Sequence, residues 1–328
     1  MHGYGVAGGI LCTVLFFCIG LATQAQKSTA FVPPPLGTLL DVGGYRIHVY
    51  CTGSGSPTVM IVGAAFSFDW DLVQSSVARF TRVCTFDPSG TAWSDPFQSA
   101  VRVLDPNAPL RSTPTCGDRV AEIHRVIASA SIESPYVLVG LSVGALWERL
   151  YAAHYPAGIV GMVIVDQAFL PDDNAAAGQP ATASASSGGY SGPVLMTQAP
   201  LLLDFEDDVN FGKLSQRDQD LHKWALAQHP VRPDYAMAKD CFSQIERAIG
   251  NHSYPFGNLP LTVVRTANES PGYAEMQAKL LGLSHQSRQV VAWNSSHMVP
   301  IDEPEVIVSA IQTMVESTRG HKIEDERH

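Results

Sequence analysis

One stretch of this chain, residues 135–155, limits the possible folds more than any other. It begins as a short apolar run, passes through Gly140-Leu141-Ser142-Val143-Gly144, and continues with apolar residues at helical spacing. This pattern predicts a buried strand, a tight turn and a helix, with Ser142 at the apex of the turn. A side chain at Gly140 or Gly144 would press on the adjacent strand or helix, so we expect both positions to need glycine.

Apolar runs alternate with helical patterns along most of the remaining chain. The predicted strands are residues 37–42, 45–50, 58–62, 81–86, 136–139, 159–165, 261–266 and 287–293. The repeated strand–helix–strand order predicts an α/β fold, with a mostly parallel central sheet and helices on both of its faces. Sites in such sheets lie at the carboxyl ends of the strands. Ser142, Asp166 and His297 each follow a predicted strand, so we expect them to meet at one sheet edge.

One long segment, residues 167–258, interrupts this alternation. It starts with a stretch rich in alanine, serine, glycine and proline and continues with two helical patterns. We interpret residues 167–258 as a helical lid inserted into a core made of residues 36–166 and 259–318. The charged residues 319–328 are expected to form a frayed tail.

The N-terminal residues resemble an export signal. Residues 6–22 are a continuous run of apolar and small residues, and Thr23-Gln24-Ala25 fits a small-x-small cleavage site. The sequence therefore predicts a signal peptide over residues 1–25, a linker over residues 26–35, and a secreted or periplasmic protein. An uncleaved membrane anchor is the alternative. Export would permit disulfides, and the four cysteines after the signal allow three pairings.

Composition excludes some classes of partner. The formal net charge of −10 argues against a surface for nucleic acid or anionic membranes. We find no metal-binding, dinucleotide or phosphate-loop motif, and we predict neither a metal nor a cofactor. No obligate membrane partner is expected, and the oligomeric state stays open.

A serine hydroxyl becomes a useful nucleophile only when a base takes its proton and a third group orients that base. His297 is the best candidate base, because it follows the last predicted strand in a polar loop. Two acids could orient it: Asp166, directly after its strand, and Glu269, after the next strand. We favour Asp166, because the strand end holds its backbone more firmly. His48 lies in an alternating strand and is expected at the surface.

The negative oxygen that forms during acyl transfer needs two hydrogen-bond donors. The N–H of Val143, at the start of the helix after Ser142, is one candidate. The N–H of Ala64 is the second, because Ala64 lies among small residues directly after a central strand.

Taken together, these residues resemble the α/β-hydrolase superfamily, in a branch of lid-bearing serine hydrolases and esterases. The stretches that carry the resemblance are Val62-Gly63-Ala64-Ala65, Asp69-Trp70, residues 82–87, residues 93–96, residues 140–144, residues 163–166 and residues 296–300. The resemblance implies Ser142 as nucleophile, His297 as base, and an oxyanion hole near Ala64 and Val143. It leaves the acid open, because related hydrolases place it after either of the two strands.

The resemblance also bears on the cysteines. In the usual strand order of this superfamily, the strand with Cys51 neighbours the strand with Cys84, which implies a disulfide between them. Cys116 and Cys241 would then form the remaining pair and link the core to the lid.

We therefore expect a serine hydrolase that cleaves small or medium carboxylic esters through an acyl-enzyme. An amidase, a peptidase or a carbon–carbon bond hydrolase could use the same three residues. A non-catalytic binding protein on this fold is the alternative from a different class.

Overall fold

The computed structural model describes residues 1–3, 31–63, 66–98, 100, 107, 113–169, 209–228, 235–267 and 271–325. Residues 4–25 of the predicted signal peptide, the Ala/Ser/Gly-rich part of the predicted lid, and the positions Ala64 and Glu269 lie outside these residues.

Eight strands form the sheet, and their positions agree closely with the apolar runs in the sequence. They are β1 (Thr38–Asp41), β2 (Arg46–Thr52), β3 (Thr58–Val62), β4 (Val83–Asp87), β5 (Tyr136–Leu141), β6 (Ile159–Val165), β7 (Leu261–Thr266) and β8 (Ser287–Ala292). Their order across the sheet is β1-β2-β4-β3-β5-β6-β7-β8. The pairs β1–β2 and β2–β4 are antiparallel, and the other pairs are parallel. The predicted fold class is confirmed.

Helices connect the strands. Within the described residues they include α1 (Asp71–Val77), α2 (Cys116–Ser129), α3 (Val143–His154), α4 (Gln216–Gln228), α5 (Tyr235–Ile249), α6 (Pro271–Lys279), α7 (Val299–Asp302) and α8 (Pro304–Asp325). Short 3-10 turns cover Ser67–Trp70, Phe211–Lys213 and Leu280–Leu283. Among the described helices, none is long and apolar enough to cross a bilayer.

The sheet has a separate apolar core on each face. Met60 and Val62 of β3 point into one cluster, with side chains of α2, α3 and α5. Val59 and Ile61, the alternate residues of the same strand, point into the other cluster, with side chains of α1 and α8. Strands that are buried on both faces explain the near-continuous apolar runs in the sequence.

Two helix ends show how local chemistry sets the boundaries. Thr115 caps α2: its hydroxyl accepts from the N–H of Asp118 at 3.2 Å, and the Asp118 carboxylate accepts from the N–H of Thr115 at 2.7 Å. At the other end of the chain, α8 continues to Asp325, into the segment for which the sequence predicts a charged tail. The Arg319 guanidinium donates to the carbonyl oxygens of Ser56 and Phe80, which holds this part of α8 against the core.

Both expected disulfides are present. Cys51 and Cys84 are directly opposite each other in the β2–β4 ladder and are bonded. Cys116, at the start of α2, is bonded to Cys241 in α5. The second bond links residues that are 125 positions apart and fixes the helix pair α2 and α5 to each other.

Candidate active site

Ser142 lies at the sharp turn between β5 and α3, as the sequence predicts. Its backbone has φ 58° and ψ −119°, a conformation that residues other than glycine rarely adopt. The Ser142 N–H donates to the carbonyl oxygen of Val165 at 3.0 Å, which ties the turn to the end of β6. A Cβ atom on Gly140 would lie 2.7 Å from the carbonyl oxygen of Gly144. The tight approach of helix to strand therefore requires glycine at position 140.

Asp166 and His297 are brought together at the same sheet edge. The Nδ1–H of His297 donates to Oδ2 of Asp166 at 2.5 Å, although the two residues are 131 positions apart. Asp166 is buried and directly follows β6, and its N–H donates to the carbonyl oxygen of Val264 at 2.7 Å. Its φ of 39° lies in the left-handed region. The hydrogen bond fixes the ring tautomer, so Nε2 of the neutral ring is left as an acceptor.

Two opposing effects act on the pKa of His297. Burial lowers it, while the hydrogen bond and the negative charge of Asp166 raise it. The contributions of Asp166 together prevail, so the pKa of His297 is raised above its ordinary value. The imidazolium form is thus stabilised by its carboxylate partner, which suits a group that must accept a proton for part of a reaction cycle.

The loop that carries His297 is held by the acidic residues that follow it. The N–H and the hydroxyl of Ser296 donate to Oδ2 of Asp302 at 2.7 and 2.6 Å. The N–H of Asn294 donates to the Glu303 carboxylate at 2.8 Å. These bonds anchor the loop at Asn294 and Ser296, directly before His297, and limit the positions that the imidazole can reach.

The hydroxyl of Ser142 makes no hydrogen bond to His297 in the part of the chain that the structure describes. Ser142 is nevertheless the neighbour of Asp166 across the sheet edge, because β5 and β6 are adjacent and Ser142 N–H bonds to Val165. Bonds between catalytic groups are often long without substrate and tighten when it binds.

No family model matches the chain. Two curated relatives are an uncharacterized protein of Schizosaccharomyces pombe, 26% identical over 44% of this chain, and the uncharacterized protein YqjL of Bacillus subtilis, 24% identical over 61%. The chain spans 30% of the first relative's length and 65% of the second's.

Solved structures are similar over more than four-fifths of the chain. A serine hydrolase involved in carbazole degradation has a TM-score of 0.54 at 17% identity, covering 85% of this chain and 98% of that one. An esterase from Thermogutta terrifontis has a TM-score of 0.54 at 17% identity, covering 83% and 94%. The esterase EaEST from Exiguobacterium antarcticum has a TM-score of 0.54 at 15% identity, covering 85% and 99%. The chain has the α/β-hydrolase fold.

In this α/β-hydrolase fold, Val143 is the first residue of α3, where N–H groups have no partner within the helix. Its predicted partner in the oxyanion hole, Ala64, lies outside the described residues, so that part of the hole stays a prediction. The residues just beyond it are held firmly. The N–H of Phe66 donates to Oδ2 of Asp69 at 3.0 Å, and Oδ1 of Asp69 accepts from Nδ1 of His222 in α4 at 2.8 Å. The sequence gives no sign of this buried Asp69–His222 pair.

A second serine–histidine–aspartate cluster in the α/β-hydrolase fold is structural. Nδ1 of His48 donates to Asp87 at 2.7 Å, and the Ser67 hydroxyl donates to the same carboxylate at 3.1 Å. Nε2 of His48 already accepts from the N–H of Gly37 at 2.9 Å, so it has no free acceptor for a substrate proton. The expectation that His48 is a surface residue is wrong: its side chain is buried, because its strand is covered on both faces.

Sequence reasoning also missed the residues around the acid. Oδ1 of Asp166 accepts from Nε2 of Gln277, a buried residue of α6, at 3.1 Å. The Tyr273 hydroxyl donates to the carbonyl oxygen of Gln167 at 2.6 Å, and Arg149 of α3 donates to the Gln167 side chain at 2.8 Å. Arginine and glutamine in a helix are usually at the surface. No local sequence pattern therefore predicts that Arg149 and Gln277 lie buried near Asp166.

Proposed function

We propose that this protein is a serine hydrolase that cleaves carboxylic esters through an acyl-enzyme, with Ser142 as nucleophile, His297 as base and Asp166 as the acid that orients it. The observation that carries the proposal is the 2.5 Å hydrogen bond between His297 and Asp166 at the sheet edge, one strand away from Ser142 in its strained turn. Similarity in fold to esterases and other serine hydrolases supports the same reaction class.

The proposed reaction has two halves. The Ser142 oxygen attacks the ester carbonyl while Nε2 of His297 takes the hydroxyl proton, and the alcohol leaves with that proton as the carbon–oxygen bond breaks. Water then attacks the acyl carbon and gives a proton to Nε2 of His297. The bond between the acyl carbon and the Ser142 oxygen breaks, His297 returns the proton to that oxygen, and the carboxylic acid leaves. Asp166 stays ionised throughout and stabilises the imidazolium.

The proposed oxyanion hole combines the N–H of Val143 with that of Ala64. The N-terminus of α3 adds a favourable dipole at the same place. Loss of one such donor costs about 3–4 kcal/mol in the transition state. The buried Asp69–His222 pair supports the proposal, because it fixes the backbone close to Ala64.

A labelling experiment tests the nucleophile. An alkyl fluorophosphonate, which modifies activated serines, should add one equivalent to the wild-type protein, and peptide mass spectrometry should locate it on Ser142. Ser142→Ala should abolish both the labelling and the hydrolysis of a chromogenic short-chain ester, with a fall in kcat of about 10⁶-fold. Ser75→Ala, in the exposed part of α1, is the matched control and should behave as wild type. Equal rates for wild type and Ser142→Ala would end the esterase proposal.

The choice of acid has its own test. Asp166→Asn should lower kcat by about 10⁴-fold, as the loss of the orienting carboxylate does in other triads. Glu269→Gln should change kcat little. A severe loss in Glu269→Gln alone would assign the acid to Glu269.

The same three residues serve amide and carbon–carbon bond hydrolysis, so the leaving group needs direct measurement. Matched ester, thioester and anilide substrates with one acyl group would separate these reactions. Turnover of the anilide at a rate equal to the ester would favour an amidase, and labelling of Ser142 without turnover of any of the three would favour another acyl or carbon–carbon substrate.

We also propose that the protein is exported, with residues 1–25 as a cleaved signal. The two disulfides support an oxidising compartment, because such bonds are rare in the cytosol of most organisms. N-terminal sequencing of protein from the native host should begin at Gln26. A mature chain that keeps residues 1–25 would instead favour the uncleaved anchor.

A further inference from the structure

We propose that Gln277 is a positioning residue of the active site: its side-chain amide holds the free oxygen of Asp166 so that the other oxygen faces His297. This inference rests on the proposed function, but its central measurement does not need a substrate. Gln277 lies in α6, 111 positions from Asp166, and the sequence gives no sign of the contact.

The geometry assigns one oxygen of the carboxylate to each partner. Oδ2 of Asp166 accepts from Nδ1 of His297 at 2.5 Å, and Oδ1 accepts from Nε2 of Gln277 at 3.1 Å. A carboxylate that is bonded at only one oxygen can rotate about its Cβ–Cγ bond, whereas one bonded at both oxygens is held in one plane. Gln277 therefore fixes the direction in which Asp166 presents its charge to the imidazole.

The same amide group also binds the backbone beyond the acid. Nε2 of Gln277 donates to the carbonyl oxygen of Gln167 at 3.2 Å, and the Tyr273 hydroxyl donates to that oxygen at 2.6 Å. Asp166 has a φ of 39°, which costs free energy and persists only where neighbouring contacts hold it. The Gln277 amide thus bonds both to the side chain of the acid and to the backbone of the residue that follows it.

Burial makes this contact strong. Gln277 is fully buried and Asp166 nearly so, so water does not compete well for the carboxylate. Hydrogen bonds to a charged group are stronger than hydrogen bonds between neutral groups. Oε1 of Gln277 has no hydrogen-bond partner among the described residues, whereas Nε2 donates both of the bonds described above.

Several charged or titratable groups lie at or near the contact between Asp166 and His297 and affect any titration of His297. They are Asp166 at the end of β6, Arg149 of α3 across Gln167, Tyr273 of α6, and Asp302 of α7 next to the His297 loop. Arg149, Tyr273 and Asp302 are unchanged in the Gln277 variants. A change in the titration of His297 in those variants therefore reports the Asp166 contact.

The test uses two substitutions and a control. Gln277→Met keeps the length of the side chain and removes both donated bonds. Gln277→Glu also keeps the length, and its carboxyl can donate only while it is protonated. Tyr273→Phe removes the other bond to Gln167 but leaves the bond to Asp166, so it reports a purely structural role of α6. Near-UV circular dichroism and thermal unfolding check that each variant is folded.

The first measurement is proton NMR of His297, which works without substrate. In wild type we expect a far-downfield signal from the Nδ1–H shared with Asp166. In Gln277→Met this signal should weaken and the pKa of His297 should fall toward its ordinary value. In Gln277→Glu the signal should be present at low pH and fade as the introduced carboxyl ionises. Tyr273→Phe should leave the signal and the pKa as they are in wild type.

The second measurement is ester hydrolysis. Gln277→Met should lower kcat by about 10–100-fold, the effect of a small misplacement of a catalytic group, with KM almost unchanged. If wild type hydrolyses no ester, the proposed function fails, and the NMR titration still decides the role of Gln277. A folded Gln277→Met whose downfield signal, His297 titration and kcat equal those of wild type would overturn the inference. An equal loss in Tyr273→Phe would overturn it as well.

Discussion

Replacing Gly140 by alanine, which adds one methyl group, directly tests why the turn at Ser142 needs glycine. A Cβ atom there would lie 2.7 Å from the carbonyl oxygen of Gly144 and 2.8 Å from Cα and N of Ala145. Ordinary contact begins near 3.4 Å, so the first turn of α3 must move by about 0.7 Å. All three atoms are backbone atoms, so no side chain can rotate away to relieve the contact.

Two free-energy terms set the magnitude for Gly140→Ala. Replacing glycine by alanine restricts the unfolded chain and stabilises a protein by about 0.4–1 kcal/mol where the new methyl group fits. Overpacking against rigid neighbours costs about 1–3 kcal/mol, and more when backbone must shift. We therefore expect a net loss of about 1–2 kcal/mol or more in the free energy of unfolding. The 0.7 Å displacement should also lower kcat at least about tenfold, because Ser142 and Val143 move with the helix.

Gly320→Ala is the matched control, and we expect it to change the free energy of unfolding in the opposite direction. Gly320 is an exposed position in α8, and a Cβ atom there would have no neighbour within 4 Å. The same chemical change should therefore stabilise the protein by about 0.5–1 kcal/mol and leave kcat unchanged. Urea unfolding at constant m-value and ester hydrolysis measure both effects. A Gly140→Ala protein as stable and as active as wild type would refute the account of the turn.

Three further predictions concern other parts of the molecule. Glu148 is fully buried, neither of its carboxyl oxygens has a partner among the described residues, and burial raises its pKa despite the opposing charge of Arg149. The native state then keeps a proton that the unfolded state releases, so stability should fall as pH rises above the ordinary glutamate pKa of about 4.3. Glu148→Met should remove that slope in urea titrations and add about 1–3 kcal/mol at pH 7; an unchanged slope would contradict this. Replacing Cys116 and Cys241 together by alanine should cost about 5 kcal/mol, because the bond closes a loop of 125 residues. A loss in the free energy of unfolding below about 1 kcal/mol, measured by urea unfolding, would contradict this prediction. It would show that something other than this disulfide restricts the unfolded chain. The raised pKa of His297 predicts that kcat/KM increases with pH through a midpoint above about 6.5, since only the neutral ring accepts a proton. A midpoint well below that value would contradict the pairing with Asp166.

Local pattern was enough to predict most of the fold. The strand β3 has the bounds that its apolar run indicates, and the capping box that begins α2 lies within four consecutive residues, Thr115 to Asp118. These features depend on residues that are close together in the chain, so a local sequence pattern can predict them. The turn at Ser142 belongs to the same class, because its glycines and its serine are close together in the chain.

Contacts between polar residues that are far apart in the chain could not be predicted from the sequence. Burial of His48 depends on Asp87 and Gly37, and the pair Asp69–His222 spans 153 positions. By residue type, aspartate is mostly exposed and histidine is intermediate, so neither type alone predicts these buried pairs. Their burial depends on how the whole sheet packs. The local periodicity of the sequence gives no information about that packing.

The bond between Cys116 and Cys241 turns the middle of the chain into a covalent ring. Ser142 and Asp166 are inside this ring, whereas His297 is outside it. A protease that cut once between the two cysteines would open the ring without releasing a fragment. The cut protein would migrate as one species until a reductant separated the pieces, so a single scission there leaves the serine and the carboxylate attached to the rest of the molecule.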